Sequence, residues 1–350
     1  MRVLVRTPNW LGDTVMALPA LLALRSHFAD EVLVAAAPRA FAPLLSAVAA
    51  VDETVLLSRE HSGRRGRNIE AEQLRSGRFD LAVLLPNSFG SAWVARRAGI
   101  VERWGYATRA RGWLLTRAVP RPHRRSRLHQ GDEYLGLLRK LGIEPKPVAT
   151  TITAPPWMLA RARRLLEDAG WDGERPLIGM APGAAYGHAK RWLPDRYARV
   201  AGRLADTQGA VVVLVGDGHD RDTGYAIESS LVATGGGGTV AGVVNLIGRT
   251  DLSQLIGLLA VLRALISSDS GAMHLAAALG VPVAAIFGPT DDRLTAPVGR
   301  HVVLTHNVWC RPCFLRDCPI DHRCMTGISE DRVFQAVTDQ LLLPAAGGRM

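Results

Sequence analysis

Residues 264–287 read ALISSDSGAMHLAAALGVPVAAIF. Ala264–Ser267 is a short apolar run that ends in small polar residues. Ser267-Ser268-Asp269-Ser270 then makes a turn, and Gly271–Leu279 has the composition of a helix. Gly280 and Pro282 stop that helix, and Val283–Phe287 is a second apolar run. Strand, helix and strand packed this closely form a βαβ unit, so the two strands are predicted to be parallel.

The same alternation extends outward in both directions. Strands are predicted at Val3–Arg6, Val32–Ala36, Thr54–Leu57 and Leu81–Leu85, and, after the Ala154-Pro155-Pro156 stretch, at Leu177–Ala181, Val211–Val215, Ala264–Ser267 and Val283–Phe287. Helical patterns lie between them at Thr14–His27, Asp195–Asp206, Leu252–Leu259 and Gly271–Leu279, and a last one runs from Ser329 to about Leu343. The expected architecture is α/β, in two Rossmann-like halves: residues 1–155, residues 156–328, and a final helix and tail at 329–350. Ligands of such folds bind beyond the carboxyl ends of the strands, here in a cleft between the halves. Ser58–Arg67 has no apolar residue and reads as a mobile basic loop, and Gly235–Gly238 as a flexible connection.

The 350 residues carry a net charge of +10, unevenly spread. Residues 1–155 hold 23 basic and 13 acidic side chains, and residues 156–350 hold 19 of each. Residues 59–127 alone hold 16 Arg and five acids. Such asymmetry suggests two halves with different ligands, one of them acidic. An apolar content of 48% excludes extended disorder. The most apolar stretch, Ala272–Gly288, is interrupted by His274, Gly280 and Pro282 and falls short of the ~20 residues of a membrane span. Arg6, Pro8 and Asn9 interrupt the N-terminus too early for a signal peptide. A cytoplasmic protein is expected, with a basic face able to rest on an anionic membrane.

Four stretches could carry chemistry. Thr7–Asp13 joins the first strand to the first helix and is not a GxGxxG fingerprint; Asp13 is there either a helix cap or, if it faces substrate, a general base. Pro182–Trp192 follows a strand and contains Lys190, one of only three lysines beside 39 arginines. That makes it a candidate point charge for phosphate, with a solvated surface Lys as the alternative. At Ser270–Ala272, the opening of a helix offers free amides and the positive dipole end to an anion, unless the turn is simply a capped helix start with His274 packed behind it. Cys310, Cys313, Cys318 and Cys324 could hold structural zinc or could be packed thiols.

Taken together these stretches resemble glycosyltransferase family 9, the ADP-heptose:lipopolysaccharide heptosyltransferases. The likeness runs through residues 3–25 (VLVRTPNWLGDTVMALPALLALR), Gly105–Thr108, Arg111–Leu115, Pro182–Ala184 with Lys190–Trp192, and residues 268–290. The Cys-rich segment is similar to the heptosyltransferase II branch. The resemblance implies a GT-B fold, the last helix crossing back onto the first domain. It implies transfer of L-glycero-D-manno-heptose from ADP-heptose to the lipopolysaccharide inner core, with inversion and no metal or other cofactor. The acceptor would be a Kdo2-lipid A-type glycolipid already carrying one heptose, met at the inner membrane's cytoplasmic face.

By resemblance Asp13 is the base. Lys190, Asp269, Ser270, Gly271 and His274 bind the donor, Thr250 reads the adenine through its backbone, and Asp220 contacts the ribose. Ala185 and Tyr186 stand where a related heptosyltransferase has hydroxyl residues on the phosphate. Arg64, Arg65, Arg67, Arg109 and Arg111 are the candidates for the acidic acceptor, with a solvated basic surface as the alternative. The rival activities are heptosyltransferase I or another core transferase of the same fold, a sugar-nucleotide epimerase of similar architecture, and a basic nucleic-acid-binding protein. The last lacks a recognisable reader motif, and no nucleic-acid partner is expected.

Overall fold

A computed structural model describes residues 1–48, 50–58, 63–123, 126–146, 151–233 and 242–342. The chain divides into two compact units, Met1–Thr150 and Thr151–Met350. The division falls a few residues before the predicted Pro-Pro boundary.

The first unit is built on a six-stranded parallel sheet: β1 (Arg2–Arg6), β2 (Val32–Pro38), β3 (Glu53–Leu57), β4 (Leu81–Leu84), β5 (Glu102–Tyr106) and β6 (Arg117–Val119), in the order β3-β2-β1-β4-β5-β6. The second repeats the plan with β7 (Leu177–Ala181), β8 (Val211–Leu214), β9 (Val243–Asn245), β10 (Ala264–Ser268), β11 (Val283–Phe287) and β12 (His301–Thr305), in the order β12-β11-β10-β7-β8-β9. Each sheet therefore reverses strand order once, between β1 and β4 and between β7 and β10. At such a switch point the loops leave in opposite directions, opening a crevice at the carboxyl ends. β1, β4, β7, β10 and β11 are buried over nearly their whole length, as strands covered on both faces must be.

Two sequence expectations change. The first helix is two, Leu11–Met16 and Leu18–His27, because Pro19 opens the second one and the chain steps at Ala17. Arg64, Arg65 and Arg67 do not lie in a loop. They start the helix Gly63–Ser76, which buries Gly66, Ala71 and Leu74 on one face. Arginine is a good helix former, so the apolar spacing that begins at Ile69 extends backward through a polar first turn. The last helix, Glu330–Gln335 with its continuation Ala336–Leu341, sends Val333, Ala336 and Val337 into the second unit's own core. Arg199 and Arg203 on the helix Pro194–Gln208 pair with its Glu330 and Asp331 at 2.8 and 2.5 Å. Its described side chains thus pack on the core of the unit they belong to. Residues 59–62 of the basic stretch and the Gly235–Gly238 run lie outside the described residues. Among the described residues no helix is long and apolar enough to cross a membrane.

Candidate donor and acceptor sites

The second unit places its predicted donor residues at the β7/β10 switch point. β7 leads into Pro182–Lys190, and β10 ends at Ser268, one residue before Asp269. Lys190 Nζ donates to Asp269 Oδ2 at 2.6 Å, and the Thr290 hydroxyl donates to the same oxygen at 2.8 Å. Both charges are largely removed from water, with side-chain exposures of 12% and 7%. The helix Gly271–Ala278 starts immediately beyond. Its N-cap, Ser270, makes no side-chain cap; its hydroxyl lies 3.1 Å from that of Ser267 instead. The first amides of this helix are therefore not taken by a cap side chain, as an anion site requires. Gly271 is the first helical residue and His274, one turn on, is buried.

Beside this pair lies a second one. Arg191 Nη2 meets Asp220 Oδ1 at 2.9 Å. Asp220 is buried and packs where a Cβ on Gly183 would come within 2.0 Å of its carboxylate. Burial first, and then the neighbouring Asp217 charge, push the Asp220 carboxyl above its ordinary range, and Arg191 pulls it back. The Asp220 carboxylate that the resemblance assigns to the ribose is here paired with Arg191. Thr250 is half-buried just before Asp251, which caps the helix Leu252–Ala260 in a capping box with Gln254.

Sequence reading did not anticipate how the Cys-rich segment is used. It straps the loop that carries Lys190. Ala189 N donates to Arg316 O at 2.8 Å, and the Tyr186 hydroxyl to Phe314 O at 2.7 Å. His322 Nε2 lies 2.6 Å from Ala189 O. A Cβ on Gly187 would meet the Arg316 backbone at 2.5 Å, so only glycine allows this approach. The thiols are spread across environments: Cys324 buried, Cys310 and Cys313 intermediate, Cys318 exposed. Burial, and then the other three cysteines, push the Cys324 thiol up. Among the described residues no three His, Cys, Asp or Glu side chains come together to hold a metal ion, so of the two alternatives for the cysteines the structural zinc finds no such group.

In the first unit Asp13 follows β1 at the β1/β4 switch point. It is a first-turn residue of Leu11–Met16, whose N-cap is Trp10. Its charge is, after burial, the next cause that pushes the nearby Tyr134 phenol up. Arg6 at the end of β1 reaches Glu70 at 3.7 Å, which ties the helix of Arg64, Arg65 and Arg67 to the same end of the sheet. Those three arginines are exposed, as is Arg109, which adopts φ +48°.

Arg111 is different. It is fully buried and donates to Tyr106 O at 2.8 Å, Pro86 O at 2.5 Å, and Ser88 O and Ser91 Oγ at 3.1 Å. Burial pushes its guanidinium down to about 10, still charged at neutral pH. It holds the loops after β4 and β5 together, where the sequence reading counted it among the arginines of an exposed basic face. The sequence also gave no hint of an exposed aromatic group at this end: Trp113 and Phe89 have ring centroids 6.3 Å apart, and Arg96 Cζ lies 5.1 Å from the Trp113 centroid. Their exposures are 65% and 41%, and that of Trp10 is 55%.

Residues 70–323 match the family model described as glycosyltransferase family 9 (heptosyltransferase). The chain is 33% identical to lipopolysaccharide heptosyltransferase 2 of Salmonella typhimurium over 85% of its length and 86% of that protein's. It is 31% identical to lipooligosaccharide heptosyltransferase 2 of Haemophilus ducreyi, covering 98% and 99%. The solved structure of the E. coli ADP-heptose lps heptosyltransferase II superposes with a TM-score of 0.80 at 30% identity, covering 98% of this chain and 99% of that one. Two parallel six-stranded α/β units of GT-B type, the switch-point residues and these likenesses agree: the chain belongs to glycosyltransferase family 9, the heptosyltransferases.

Proposed function

We propose that this enzyme transfers L-glycero-D-manno-heptose from ADP-heptose to the lipopolysaccharide inner core, adding the second heptose to heptosyl-Kdo2-lipid A with inversion. The observation that carries the reading is the buried Lys190–Asp269 pair beside an uncapped helix start, in a chain of this family. A diphosphate placed there meets one ammonium and a row of amides. As the glycosidic bond to ADP breaks, the β-phosphate gains negative charge. Lys190 and the Ser270–Ala272 amides are suited to stabilise it, a task that in other transferases falls to a metal ion. Asp13 would take the proton of the attacking acceptor hydroxyl, so that the new bond forms on the face opposite the leaving ADP.

The names of the relatives favour the second heptose over the first. The excess positive charge of the first unit, with exposed Arg64, Arg65, Arg67 and Arg109, suits an acceptor bearing phosphates and Kdo carboxylates. Exposed Trp10, Phe89 and Trp113 suit a protein resting on the inner membrane's cytoplasmic face. Nucleic acid has no part in this reading. Donor trials test it: ADP-heptose should be consumed in the presence of acceptor, with UDP- and GDP-sugars inert and EDTA without effect. Loss of activity in EDTA that Mg²⁺ restores would overturn the metal-free mechanism.

A further inference from the structure

Tyr186 stands in the loop that follows β7, and two cations flank its ring. Lys190 Nζ lies 4.9 Å from the ring centroid and Arg316 Cζ 5.4 Å. The two positive charges can be no farther apart than those distances together. The Tyr186 hydroxyl is anchored on Phe314 O, so the ring acts as a fixed spacer between the phosphate loop and the strap. Lys190 has its counter-charge in Asp269. Arg316 is exposed, and among the described residues no carboxylate pairs with it. The Tyr186 ring thus sets a guanidinium within one aromatic ring of the Lys190 ammonium, where a single bound anion can meet both. The strap holds Arg316 there through backbone bonds, Ala189 N to Arg316 O among them, which leaves the guanidinium free to face a ligand.

We infer that Arg316, delivered by the Cys-rich strap, is a second cation of the donor site that binds the diphosphate of the nucleotide sugar together with Lys190. This rests on the donor reading above and extends it to a residue to which the resemblance gave no role. Arginine's planar fork can take two oxygens of one phosphate, where Lys190 supplies a point charge. The diphosphate of ADP-heptose becomes more negative when ADP departs, so the contact should strengthen during transfer and persist in the product complex.

Calorimetry with ADP, inorganic pyrophosphate and adenosine tests this on wild type, Arg316→Gln, Arg316→Lys and Lys190→Ala. The backbone bonds of the strap survive in both Arg316 variants, and their melting temperatures should match wild type. Arg316→Gln should weaken ADP and pyrophosphate about tenfold, the loss expected for one charge-assisted contact, and leave adenosine unchanged. Arg316→Lys should recover part of the loss. Wild-type ADP affinity in Arg316→Gln, with Lys190→Ala impaired, would overturn the inference and leave the donor reading intact. An equal loss of adenosine and ADP would overturn it too, because that marks a collapsed site rather than a missing phosphate contact. Absence of ADP binding by wild type would remove the donor reading itself, and the inference with it.

Discussion

The Lys190 ammonium and the Thr290 hydroxyl both donate to one oxygen of Asp269, at 2.6 and 2.8 Å. A buried carboxylate stripped of its cation is costly, about 3 kcal/mol when one partner of such a pair is removed. Lys190→Met should therefore lose both ADP affinity and stability. Adding Asp269→Asn to it should restore most of the stability, since the orphaned charge is gone, while ADP affinity stays low. Calorimetric Kd values and melting curves for the two variants separate the roles. Recovery of ADP affinity in the double variant would show that Lys190 serves only the fold.

A pH signature is expected of the neighbouring pair. Asp220 is held above the ordinary aspartate value, chiefly by burial and then by Asp217, with Arg191 opposing. A raised carboxyl means that the folded state favours the protonated form. Its contribution is full below about pH 4 and is lost as pH rises through the folded value. Arg191→Gln removes the opposing cation and moves that value further up. The unfolding free energy of Arg191→Gln should lie close to wild type in acid and fall progressively behind it toward neutrality, by an amount on the order of 3 kcal/mol. A constant gap across pH would show that Arg191 acts through packing alone.

The arginines divide by burial. Changing Arg64, Arg65 and Arg67 together to Gln should raise the acceptor KM, flatten its salt dependence, and leave the ADP-heptose KM in place. Exposed charges act through a Debye length of ~8 Å at physiological salt, so each alone should do little. Arg111→Met should instead lower stability by roughly 3 kcal/mol, through lost charge-assisted bonds to the carbonyls of Tyr106, Pro86 and Ser88. Initial-rate kinetics across a salt titration, with melting curves alongside, check both. An unchanged acceptor KM in the triple variant would remove this helix from acceptor capture.

The strands that cross the middle of each sheet were legible because they are buried on both faces and read as apolar runs; Leu177–Ala181 and Val283–Phe287 match the structure at both ends. The strands Glu102–Tyr106, Arg117–Val119, Val243–Asn245 and His301–Thr305 were not, and three of them are edge strands. They are half-covered, carry Glu102, Arg117, Asn245 or His301, and offer apolar runs of three residues at most. The donor residues could be seen because glycine, proline and a rare lysine mark a loop. That Lys190 and Asp269 touch could not, since 79 residues separate them and only the β7/β10 pairing brings them together. Arg111 shows the converse. Its charge counts toward a basic face in the sequence, but a glycine at 105 leaves room for its guanidinium inside. Arg316 was hidden among cysteines that drew attention to themselves.

Turnover of ADP-heptose with two acceptors, Kdo2-lipid A and heptosyl-Kdo2-lipid A, tests the central claim most directly. Product mass should show one heptose added to heptosyl-Kdo2-lipid A and little to the acceptor that lacks it. Asp13→Asn should slow that transfer by ~10²–10⁴ while ADP binding stays at the wild-type value, as removal of a general base requires. Wild-type enzyme that binds ADP-heptose yet extends neither acceptor, or an Asp13→Asn enzyme that turns over at the wild-type rate, would contradict it.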